Sequence, residues 1–82
     1  MAILIKCVER EIKVLGTFEN ENLAHHAMEI DLAKEIGLET VPKNWVDVQM
    51  EEYDNIEIHA DRASMNIDKQ DFANYDWKIV TI

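Results

Sequence analysis

Two glycines, one proline, one cysteine and one serine in 82 residues exclude several kinds of chemistry at once. With Gly16 and Gly37 as the only glycines, neither a phosphate-cradling P-loop nor a dinucleotide-binding fingerprint can be written, since both need several glycines close together. Cys7 has no second cysteine to pair with, and in its apolar stretch it reads as a small buried hydrophobe. Ser64 has no glycine elbow around it and Cys7 has no histidine-bearing motif beside it, so no nucleophile arrangement can be recognised. Basic residues are scarce as well: 8 Lys and Arg stand against 17 Asp and Glu, for a net charge of −9. Direct binding to DNA, RNA or an anionic membrane surface is therefore not expected, and basic partners are favoured instead. No apolar run reaches the roughly 18 to 20 residues that cross a bilayer, and Met1 to Lys6 does not form a charged segment followed by a cleavage site. The expectation is a cytoplasmic protein.

A chain of this length has material for one hydrophobic core and thus for a single domain, residues 1–82. Most large apolar side chains must be committed to packing rather than to a deep substrate cavity, which argues against an enzyme and a resident cofactor. The apolar share of 48%, spread along the whole chain, argues against disorder despite the charge.

From Ile3 to Val8 every residue except Lys6 is apolar or β-branched, which predicts a strand buried on at least one face. Ile12 and Val14 alternate with Glu11 and Lys13, a period of two that predicts a second strand ending near Gly16. A tight turn at Glu9-Arg10 would make the two a hairpin; a single bent strand through Arg10 is the rival reading. Asn20 or Thr17 can cap the helix that follows, with Phe18 stapling its start. Glu21 to Ile36 contains neither Gly nor Pro, and Gly37 stands where a left-handed cap is usual. The apolar positions of this helix, Leu23, Ala24, Ala27, Met28, Leu32 and Ile36, cover a wide arc with Ile30 and Ala33 outside its centre. Such an arc implies cover on more than one side, or a homo-oligomer formed through the helix.

Pro42 marks a connection, and Trp45, Val46 and Val48 suggest a short extended segment before an acidic turn at Glu51 to Asn55. Ile56, Ile58 and Ala60 alternate with Glu57, His59 and Asp61, the pattern of a half-buried strand. Ala63 to Ile67 would be its partner, a polar loop would run from Asp68 to Asp76, and Trp77 to Ile82 would close the sheet as an inner strand with Trp77 in the core. The expected fold is α+β, one α-helix packed on an antiparallel sheet of four to six strands.

Two clusters carry candidate chemistry. His25 and Glu29 lie four apart on one helix face beside His26 and Asp31. Adjacent histidines point about 100° apart on a helix, however, and a transition metal asks for three or four convergent ligands. An i,i+4 surface contact is the simpler reading and no metal site is expected. His59 between Glu57 and Asp61 forms a row at a spacing of two, which a wet sheet face explains as well as a cation site does.

Charge distribution says more than any motif. Residues 39 to 76 contain ten acids and three bases, and from Asp47 to Asp61 there is no Lys or Arg at all. Glu51, Glu52, Asp54, Glu57 and Asp61 would present carboxylates to a basic protein surface, with Tyr53 as an anchor. Such an array can occupy the phosphate path of a nucleic-acid-binding protein; the plain alternative is acidity that keeps a small domain dissolved. Trp45 and Tyr75 also sit beside acids and would serve the same contact.

The segment Ala73 to Val80, and Gly16-Thr17-Phe18 before a helix containing Ala24 and Met28, resemble small uncharacterised proteins of Gram-positive bacteria and their phages. The resemblance covers about half of the chain and implies no known activity or site residue. In that company, small acidic proteins act as accessory or anti-defence factors, including inhibitors similar to anti-CRISPR proteins. An oligomeric binder of a small ligand or nucleotide is the alternative function.

Overall fold

The computed structural model describes residues 1–45, 53–67 and 74–82, with the side chains of 53–55 and 67 excepted. Its elements are β1 (Ala2–Val8), β2 (Glu11–Phe18), α1 (Glu21–Glu35), β3 (Tyr53–Ile58), β4 (Arg62–Ile67) and β5 (Asn74–Thr81). The five strands form one sheet in the order β2-β1-β5-β4-β3, every neighbouring pair antiparallel. The α+β fold expected from the residue patterns is the one observed, and the closing strand β5 is the central one.

The chain turns between β1 and β2 through Glu9 (φ 50°) and Arg10 (φ 75°). Val8 pairs with Glu11, so this is a two-residue hairpin loop and not a bent strand. Both loop residues hold the left-handed conformation that glycine and asparagine adopt most readily, and each pays a steric penalty on the order of 1 kcal/mol. Arg10→Gly is expected to raise stability by roughly 0.5 to 1 kcal/mol and the melting temperature by several degrees, readable by thermal denaturation. Further along, the register slips between Leu4 and Ile5, whose partners are Gly16 and Val14, so Leu15 is a bulged residue.

Asn20 begins the helix by accepting a 2.9 Å hydrogen bond from the Leu23 amide, whereas Thr17 lies within β2. At the other end the Leu38 amide reaches the Ala33 carbonyl (2.8 Å) and the Gly37 amide that of Lys34 (3.1 Å). This double closure requires a left-handed residue, and Gly37 supplies it at φ 83°.

One face of the sheet and one side of α1 enclose the core. Ala2 and Leu4 of β1, Ala63 and Met65 of β4, and Trp77 and Ile79 of β5 form one cluster with Ala24, Met28 and Leu32 of the helix and Ile36 at its C-cap. Leu38 and Trp45, from the chain leaving the helix, pack against this cluster with Phe18, Ile56 and Ile58. Ala24, Met28, Leu32 and Ile36 on the core side are buried and so is Ala33 away from it, while Leu23 and Ile30 remain exposed. Trp45 sits in a helical turn and not in a strand, and the rest of that predicted extended segment lies outside the described residues. The predicted loop ends earlier than expected, because Asn74 to Asp76 already pair with β1 and β4. Cys7 is half-buried, facing away from the helix, rather than part of the core.

Candidate functional site

Of the expected partner-binding residues, Glu51 and Glu52 lie outside the described residues, and Tyr53 and Asp54 are placed only as backbone positions of β3. Glu57 and Asp61 are exposed, Glu57 on β3 and Asp61 in the turn to β4. That turn is held by the His59 amide donating to the Arg62 carbonyl (2.7 Å) and by the Ile79 amide donating to the Asp61 carbonyl (2.8 Å). The Asp61 side chain is thus fixed at its root by β5 while its carboxylate faces water. His59 stands 3.9 Å from the Glu57 carboxylate, a contact between exposed side chains that contributes little.

The helix histidines are separated in role. His25 Nε2 lies 3.1 Å from Glu29 Oε1, as its spacing foretold, and Nδ1 lies 3.1 Å from the Ala60 carbonyl. His25 therefore ties the helix to the β3–β4 turn, a contact that no local pattern announced, and His26 points to solvent. Among the described residues no three His, Cys, Asp or Glu side chains converge as a metal site would need.

The most closely knit polar cluster is one that sequence reasoning missed. Lys6, the lone charge in β1, inserts its ammonium between Asp31 Oδ2 (2.9 Å) and Glu35 Oε2 (2.8 Å) on α1. Trp77 Nε1 donates to the same Asp31 oxygen at 2.8 Å. The ammonium also lies 5.4 Å from the Trp77 ring and 5.9 Å from the Tyr75 ring, which stack on each other at 6.2 Å. Burial disfavours the charged lysine, but hydrogen bonds to Glu35 and Asp31 and the charges of both carboxylates outweigh it, so its pKa stands above the ordinary value. The signal was present in the chain: a lysine inside an apolar strand needs a partner, and Asp31 and Glu35 lie four apart on one helix face. Only the pairing across the fold was hidden.

Beside this cluster runs an open cleft of about 420 Å³ lined by Lys6, Val8, Glu11, Lys13, Glu35 and Tyr75. Tyr75 is half-buried on Trp77, and Trp45 packs on the core, so neither is the projecting anchor that its acidic neighbours suggested. No helix among the described residues is long and apolar enough to cross a membrane. Comparison with family models, with curated proteins and with solved structures finds no match for this chain.

Proposed function

We propose that this protein is an acidic interaction module that binds a basic surface of another protein and competes there with nucleic acid. The observation that supports the reading most is the excess of carboxylates over bases between residues 39 and 76, of which Glu57 and Asp61 are exposed at one end of the sheet. Exposed like charges on the β3–β4 hairpin would steer a cationic partner. Glu51, Glu52, Tyr53 and Asp54 belong to the same stretch of chain and complete the proposed contact. A nucleic-acid-handling nuclease of the host, whose basic phosphate path such carboxylates would fill, is the partner class that fits this charge pattern, with inhibition as the outcome.

Capture from a Gram-positive host lysate at low and at high salt tests this. The bound protein should be released as ionic strength rises and as duplex DNA or RNA is added. Reversing Glu51, Glu52, Glu57 and Asp61 to lysine together should slow association by an order of magnitude or more. Retention unaffected by salt and by the four reversals would remove the electrostatic reading.

A second reading, an oligomeric binder of a small ligand or nucleotide, would use the open cleft lined by Lys6, Lys13, Glu11, Glu35 and Tyr75. A thermal-shift screen with nucleotides separates the two, since only a bound ligand raises the melting temperature as its concentration rises.

A further inference from the structure

We infer that two copies of this chain associate through the face of the sheet that the helix leaves bare. Directly paired residues share a face, so the register maps this one row by row. The first row runs Thr17, Ile3, Val80; the second Val14, Ile5, Lys78, Arg62; the third Ile12, Cys7, Asp76, Ser64, Glu57; and the fourth the positions of Asn74, Asn66 and Asp54, which a twofold axis between the second and third rows would lay on the first. On the β2–β1 side it is apolar, with Ile12 72% and Val14 66% exposed. A contiguous patch of this kind on a small protein marks a contact surface.

The charges on the other side say what covers it. Lys78 and Arg62 stand directly opposite each other, a like-charge pair that costs stability in the isolated chain. Among the described residues neither of them is ion-paired, and neither is Asp76 one row away. The two rows therefore hold two cations and two carboxylates, Asp76 and Glu57, in a chain whose net charge is −9. A strongly basic or strongly acidic partner would meet repulsion from half of this pattern. A second copy would not. A twofold axis lying between the sheets, perpendicular to the strands and passing between the second and third rows, lays each row on the other. Val14 and Ile5 then cover Ile12 and Cys7 of the second copy, and Lys78 lies over its Asp76.

The area suffices. Five strands at about 4.8 Å spacing, seven residues long, give a face of roughly 24 by 23 Å, so a pair removes on the order of 1,100 Å² from water, just above the threshold of a specific interface. This dimer leaves the helix and Asp61 outward but covers Glu57, so it would take that carboxylate out of the proposed partner contact. It needs no other protein, and Val14, Ile12, Lys78 and Asp76, which test it, are not among the residues of the partner-binding reading, so the two fail separately.

Sedimentation equilibrium of the full chain up to about 100 μM decides the matter. The expected mass rises with concentration toward twice the 9.6 kDa of one chain. Val14→Glu and, independently, Ile12→Lys alter exposed positions outside the core; each should weaken association at least tenfold while leaving the circular-dichroism melt cooperative. K78E alone and D76K alone should each be monomeric, since like charges then face each other twice across the axis. Mixing the K78E chain with the D76K chain should restore a dimer containing one of each. A wild-type mass that stays at one chain overturns the inference, as does a dimer indifferent to Val14→Glu and Ile12→Lys, or a mixture of K78E and D76K that stays monomeric.

Discussion

Trp77→Ala is expected to remove a large share of the stability of the chain and to shift its urea midpoint far below that of the wild type. Trp77 is 1% exposed and sits on the central strand, against helix and sheet residues of the one core cluster described. Truncating a buried tryptophan costs about 3 to 5 kcal/mol in lost transfer energy and residual cavity. At 82 residues, the whole stability is on the order of 4 to 12 kcal/mol, so the substitution removes a large fraction of it. The loss is compounded at Asp31, whose oxygen forfeits the indole donor. Trp77→Phe separates the two contributions, since it keeps most of the packing and deletes the hydrogen bond; it should cost about half as much. Urea denaturation followed by far-ultraviolet circular dichroism reads both variants, and a Trp77→Ala midpoint within experimental error of the wild type would contradict the place assigned to this ring.

The second large effect concerns Lys6. Lys6→Met keeps the stem that packs in β1 but removes the charge between Asp31 and Glu35, leaving two carboxylates one helical turn apart facing a methyl group. The lysine side chain is only 12% exposed, whereas the acids are 29% and 30% exposed, so water reaches them and softens the penalty. About 1 to 2 kcal/mol of destabilisation is expected, less than for a fully buried pair broken from one side, which lowers the melting temperature of a domain this size by roughly 4 to 16 °C. The pH dependence has a definite sign. The pKa of Lys6 is raised on folding above the ordinary value of 10.5, so the folded state holds its proton more tightly than the unfolded chain. The stabilisation is fully present below that value and is lost as pH rises through the higher folded pKa. The gap in stability between the wild type and Lys6→Met should accordingly be constant through neutral pH and narrow above about pH 10.5. A gap that widens there would reverse the assignment.

Local patterns carry a long way in this chain. The period of two in Ile12 and Val14, the unbroken helix-forming run after Asn20, and Gly37 at the far end all depend on neighbours within a few residues. Such short-range features let the helix, its closing glycine and most strands be read locally. They leave the N-cap open between Asn20 and Thr17 and the first turn open between a hairpin and a bent strand, and they make Trp45 read as extended. Trp77 in the core followed from the strand around it. Boundaries were harder, as Asn74 to Asp76 show: Asn74 and Asp76 disfavour a strand on either side of the strand-favouring Tyr75, yet β1 and β4 offer this segment partners for its backbone groups.

By itself the sequence determined the fold class and the excess of negative charge, because hydrophobic periodicity and charge are sums over residues and need no knowledge of which segments meet. Which segments meet was decided by tertiary structure alone. The pairing of Lys6 with Asp31 and Glu35 spans 29 positions in its longer arm, and Ile12 joins Ile5, Cys7 and Val80 on one face only because β1 lies between β2 and β5. Contacts of that range depend on strand order and register, which a one-residue slip would invert, and no local pattern encodes them.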